Sequence, residues 1–228
     1  MTNAPFPIGA RPAAQTSAQM LTQAFGWMFA GLLLTAGVTA VVGNDPRLLE
    51  FAARNWMVLF FGQIALAIGI QALMSRLSAT LALGLFFLYA AAMGLTVGLI
   101  VSQFTGESVA SAFLSAASLF GAAAVYGATT GRELSRIGGV LGIALVGWFV
   151  AVIVNLFIGA SPLGILLSLV TVVLFTVLTA FDVQRIKRGD YAAMLGSQEK
   201  ASVLAALHLY IAFINIFISL LNLVGNRD

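Results

Sequence analysis

The chain has no cysteine, one histidine and two lysines, and only 8% of its 228 residues are charged. Each shortage removes a class of chemistry. Without cysteine there are no disulfides, no thiolate catalysis and no Cys-based metal sites. A lone histidine, His208, cannot build an HExxH-type zinc site. Lys187 and Lys200 both lie outside the long apolar runs, so no Schiff base to retinal forms inside a bundle. No serine sits in a G-x-S-G motif, and only one carboxylate falls inside a predicted span, so intramembrane serine and aspartyl proteases are not expected. The chain is therefore not expected to be an enzyme. Nor does it carry the basic stripe with interleaved aromatics that would suggest a nucleic-acid partner.

What it has in abundance is apolar sequence. Hydrophobic residues make up 61% of it and the mean hydropathy is +1.03, whereas a soluble domain is about one quarter charged. Stretches of around 20 apolar residues span a bilayer core as helices. Breaks in hydrophobicity predict seven of them, at 20–42, 56–74, 79–101, 108–130, 138–159, 162–186 and 201–224. The short alternating segments of a β-barrel are absent. The fold class is thus an all-α, multi-pass membrane protein: a polar tail, 1–19, and one seven-helix domain, 20–228. The tail lacks the charged start, apolar centre and cleavage site of a signal peptide, leaving the first span to do the targeting. No internal repeat is visible, which counts against an inverted-repeat transporter.

Basic residues predict the orientation. With the N-terminus inside, the inner segments hold Arg11, Arg76, Arg132, Arg136, Arg185, Lys187, Arg188 and Lys200, against Arg47, Arg54 and Arg227 outside. That bias predicts a cytoplasmic N-terminus and an external C-terminus. Small residues at helix-packing spacing, Gly94/Gly98, Ser111/Ser115 and Gly138/Gly142, predict close helix contacts.

Asp182, near the end of the sixth span, is the exception to the apolar pattern. An ionisable group costs roughly 2.5–3.5 kcal/mol at a bilayer centre and less near an end. Arg185, three residues on and on the same helical face, is one candidate counter-ion. Arg76, in the turn between spans two and three, either reaches across as another or simply sets the topology. Either Asp182 is an interfacial carboxylate neutralised in this way, or it is a proton- or cation-responsive site. In the seventh span His208, Asn215, Ser219 and Asn222 recur at i, i+7, i+11 and i+14, one helical face interrupted by Ala212. This stripe is expected to face the bundle interior or a watered cavity. Gln63, Gln71, Tyr89, Thr96 and Asn155 are expected to bond between helices.

FDVQRIK at the end of span six and LHLYIAFINIFISLLNLVG in span seven resemble the Bax inhibitor-1 family (the TMBIM proteins), especially its bacterial members. TTGRELSRIGGVLGIALVGWFVAVIVNLF and MGLTVGLIV match it too, so the resemblance runs over nearly the whole chain. It implies six helices around a central seventh, and a pH-sensitive cation leak, chiefly of Ca²⁺, toward the cytoplasm. It further implies two aspartates, one ending span six and one in span seven, that share a proton and gate a pore. Asp182 matches the first, and would be the ligand for a passing metal ion. The second position holds Ala212. A single carboxylate cannot share a proton with a twin, and alanine removes an oxygen suited to Ca²⁺.

His208 stands where the family usually has a small polar residue, one turn from Ala212. Counted from predicted helix ends, His208 is about 10 Å deep and Asp182 about 6 Å. A carboxylate–imidazole pair is the expected replacement, ionic while His208 is protonated and loosened on alkalinisation. Three functions are therefore open. The first is a pH-responsive cation leak in a bacterial inner membrane, with the bilayer as partner, calcium or protons as permeants and no resident cofactor. The second is a non-conducting regulator that binds other membrane proteins, such as a quality-control protease or a stress or cell-death partner, through its polar tail and an exposed loop at 190–200. The third is a proton-coupled solute transporter.

Overall fold

The computed structural model describes residues 10–159 and 161–226, and nine α-helices lie among them. They are α1 (Ala10–Asn44), α2 (Pro46–Arg54), α3 (Trp56–Leu73), α4 (Ala79–Val101), α5 (Gly106–Thr129), α6 (Gly138–Ile158), α7 (Ser161–Arg188), α8 (Asp190–Leu195) and α9 (Gln198–Val224). All but α2 and α8 are long and apolar enough to cross a membrane. Residues 1–9 of the predicted tail and Arg227 lie outside the described residues, while α1 carries helix back to Ala10, well before its predicted start.

Polar breaks in the sequence set the helix ends. The side chains of Asp45, Ser78, Thr105 and Ser197 each accept a backbone N–H from the first turn of the helix that follows. Such caps contribute about 1 kcal/mol apiece. Asp45 followed by Pro46 at the first helical position starts α2, which hydropathy alone passes over because nine residues are too few to span. Gly159, at φ 66°, ends α6 in the left-handed conformation that glycine adopts without cost.

The helix at the centre is α9. Of its most apolar window 72% is buried, against 6% for α6. It packs on α1, α4, α5 and α7, whereas α3 packs chiefly on α4 and α6 chiefly on α7. The expected ring of six is thus uneven, with four helices sheathing the seventh and two applied outside them. Leu207, Leu209, Tyr210, Ile216 and Leu221 of α9 are fully buried. Tyr210 Oη lies 2.6 Å from Thr35 Oγ1, which is 2.9 Å from Ala90 O, tying α9 to α1 and α4. Tyr89 stacks edge-on against the Tyr210 ring.

Of the three predicted small-residue pairs, one packs as expected. A Cβ on Gly94 or Gly98 would meet Val38 or Val42 of α1 within 3 Å. Ser111 and Ser115 instead face outward, and their neighbours Ala112 and Ala116 are the buried pair. Gly142 is exposed with open space around it, while Gly138 sits against the Phe181 ring. The tightest approach is at Gly127 of α5, where a Cβ would collide with the backbone of Ala180 in α7. Gln63 bonds to Ala92 O and Thr96 across α3 and α4, as expected. Asn155 departs from expectation, since its buried Oδ1 has no hydrogen-bond partner among the described residues.

Gly127→Val is expected to destabilise the bundle by about 1–3 kcal/mol through overpacking. On the same helix Gly121 has open space around it, so Gly121→Ala is expected to be neutral or to stabilise by up to ~1 kcal/mol. Unfolding of the detergent-solubilised protein checks both, and equal midpoints for Gly127→Val and wild type would contradict the α5–α7 contact.

Candidate functional site

Four elements meet at one end of the bundle. α7 contributes Asp182, α8 Tyr191, α9 His208, and the last turn of α3 Gln71. Asp182 is 8% exposed and Tyr191 is fully buried. The His208 ring is partly open and Gln71 is exposed. The site is therefore closed over the carboxylate and accessible at the outer edge of the imidazole.

His208 Nδ1 is 3.7 Å from Asp182 Oδ1, and the Tyr191 hydroxyl lies between them. Tyr191 Oη donates to Asp182 Oδ1 at 2.6 Å and is 2.8 Å from His208 Nδ1. On the far side of the ring, Nε2 is 2.9 Å from Gln71 Oε1. That carbonyl oxygen only accepts, so Nε2 is a donor. Burial pushes the Tyr191 phenol well above its ordinary pKa, and the charge of Asp182 adds to the effect. The phenol thus stays a proton donor.

Tyr191 has one proton and two neighbours that accept. Both bonds of the bridge form at once only when a second proton is present, on Nδ1 as imidazolium or on the carboxyl group. With Nε2 protonated, a neutral imidazole has a bare Nδ1, which competes with Asp182 for the phenolic proton. Removing one proton from the bridge therefore breaks one of its two bonds.

The predicted counter-ions lie elsewhere. Arg185 pairs with Asp190 at 3.8 Å and sets its guanidinium 4.5 Å from the Tyr191 ring centroid and 5.5 Å from that of Phe181. It clamps Tyr191 rather than neutralising Asp182, because α8 offers a competing carboxylate and an aromatic face and Phe181, one turn back on α7, offers a second. Arg76 is exposed and makes no ion pair with Asp182 among the described residues. The polar stripe of α9 is only partly internal. Ser219 is buried, Asn215 bonds its own Ile211 carbonyl, and Asn222 is exposed at the helix end. Ala212 is buried in the hydrophobic core. Among the described residues no group of three or more His, Cys, Asp or Glu comes together as a metal-ligating set.

Two contributors escaped the sequence reading. Tyr191 belongs to the segment 190–200, expected to be an exposed loop, whose first six residues instead fold as α8 and drive this side chain inward while its last three open α9. A single aromatic between Gly189 and Gly196 was the available signal. Gln184, the last residue of FDVQ, is buried, accepts from Leu134 N and donates to Arg132 O, each at 2.8 Å. With Lys187 Nζ donating to Ala128 O, it fastens the α5–α6 connection to α7 just beyond Asp182. Lys200 Nζ likewise donates to Ser75 O and ties the α3–α4 turn to α9.

Residues 17–228 match the family described as "Inhibitor of apoptosis-promoting Bax1". The chain is 39% identical over 213 residues to the inner membrane protein YbhL of Escherichia coli, covering 91% of each. It is 38% identical over 209 residues to a protein of Deinococcus radiodurans, covering 91% of this chain and 90% of that one. With the Rickettsia prowazekii protein RP147 it shares 33% identity over 212 residues, covering 91% and 89%. With a family match over almost the whole length, and these relatives along it, the chain belongs to the Bax inhibitor-1 family.

Proposed function

We propose that the protein is a pH-responsive cation leak of a bacterial inner membrane, calcium being the permeant that the family relation favours. The observation that carries this reading is the bridge from buried Asp182 through Tyr191 to His208. The relative YbhL is an inner membrane protein, and the basic-residue bias supports a cytoplasmic N-terminus. On that orientation the bridge lies near the cytoplasmic face.

Proton counting sets the sign of the response. Acid keeps both bonds of the bridge and holds Asp182 to His208. Alkalinisation removes the second proton, and one bond is lost. A hydrogen bond to a charged group contributes about 1.5–3 kcal/mol. Its loss raises the ratio of open to closed protein roughly ten- to a hundredfold. Flux is therefore expected to rise with pH.

A second reading, a non-conducting regulator of other membrane proteins, draws on the seventh span beyond the bridge. Ala212 is buried there beside Phe213, Ile216 and Phe217, and offers a cation no oxygen.

Proteoliposomes loaded with a calcium-sensitive dye separate the two. Asp182→Asn is expected to leave flux independent of pH, because an amide both donates and accepts and so keeps both bonds of the bridge whether or not His208 holds a proton on Nδ1. His208→Ser is expected to flatten the profile as well and to raise flux on the acid side roughly tenfold, for loss of one bond worth about 1.5 kcal/mol. Absence of flux at every pH in the wild-type protein would overturn the leak in favour of the regulator.

A further inference from the structure

We propose that α8 is a hinged lid and that Tyr191 is its plug. Swinging α8 outward withdraws the phenol, parts Asp182 from His208 and opens a polar mouth for a hydrated cation between α7 and α9. The proposal rests on the leak reading for its purpose, but its geometry stands apart from it.

Three observations converge on α8. It is six residues long and is bounded by Gly189 at φ 79° and Gly196 at φ 62°. Both glycines are in the left-handed region, where a side chain would be strained. Two such points a short helix apart let the segment move as a unit while α7 and α9 keep their geometry. Next, Tyr191 is the one buried residue of α8, while Ala193 and Met194 face outward. Ala192 and Leu195 rest half-buried against the core, so Tyr191 is the one side chain of α8 that must leave the interior when the segment swings out.

Finally, that side chain is the group that completes the bridge. Its hydroxyl meets Asp182 and His208, its ring packs edge-on against the His208 ring at 5.6 Å, and Arg185 lies over its face. Among the described residues the only ion pair holding α8, Arg185–Asp190 at 3.8 Å, is partly exposed and weakened by solvent. The charged and titratable groups facing the plug are Asp182 and Arg185 from α7, Asp190 from α8 and His208 from α9, while α3 presents the neutral Gln71. Of these, the bridge protons are the ones whose loss frees Tyr191 from one of its partners.

The absence of cysteine permits a direct test on the full chain. Spin labels on Met194→Cys and Ser75→Cys, both exposed positions, report the distance between α8 and the α3–α4 turn in proteoliposomes, with calcium flux measured on the same vesicles. A second, longer distance population that grows with pH is expected. Tyr191→Phe keeps the ring but removes the hydroxyl, and is expected to show that population already at acid pH with flux raised about tenfold, the worth of one such bond. One unchanging distance across pH in the wild-type background overturns the lid, whether or not flux depends on pH. A pH-dependent distance with no flux keeps the lid and overturns the leak.

Discussion

A helix sheathed by protein on most sides meets a different solvent from one facing lipid, and α9 is such a helix. Four helices close around it, and they come near enough to do so because small residues line the crossings between them. Val38 and Val42 of α1 rest on Gly94 and Gly98 of α4, and the backbone of Ala180 rests on Gly127 of α5. Lipid tails are as apolar as leucine, so this close packing, rather than escape from water, holds the bundle together. The position of every other functional group follows from where α9 is held.

Polar groups carried into such a bundle must find partners there, and they do so in two layers. Midway, Tyr210, Thr35 and the Ala90 carbonyl join α9, α1 and α4 with neutral groups only. Toward the end where α7 and α9 are joined, Asp182, Tyr191, His208 and Gln71 form a chain that contains a carboxylate. The first layer has no proton to exchange at ordinary pH and fixes the scaffold. In the second, a single hydroxyl is shared between a carboxylate and an imidazole. Ala212, one turn along α9, adds no acid to it. The site therefore differs in chemistry from a pair of carboxylates.

The seven spans were legible in the hydropathy because each is long and apolar and polar breaks separate them. Asp182 and His208 were legible because ionisable groups are rare in such sequence. The connections were not. α2 and α8 are too short for a spanning signal, and what makes them helices is an Asp–Pro start in one case and a buried tyrosine in the other. The i, i+3 spacing of Asp182 and Arg185 suggested a pair, but spacing along one helix is blind to Asp190 and Tyr191, which arrive from the next. Ser111 and Ser115 had the right spacing for a contact and the wrong face by one residue. A periodicity identifies a stripe, and only the tertiary structure says what the stripe touches.

The peripheral position of α6 has a consequence for how the sequence can drift. This helix touches α7 through Trp148, which bonds Thr171 and stacks on Phe175, and turns most of its remaining surface outward. A residue facing fluid hydrocarbon has no neighbour of fixed shape, so valine, leucine and isoleucine are interchangeable there. At Leu207 or Ile216 of α9 the same exchange would meet close-packed walls. Substitutions should therefore accumulate freely along Val140, Ile143, Val146 and Val150 while the central helix holds its residues, a gradient of tolerance running outward from α9.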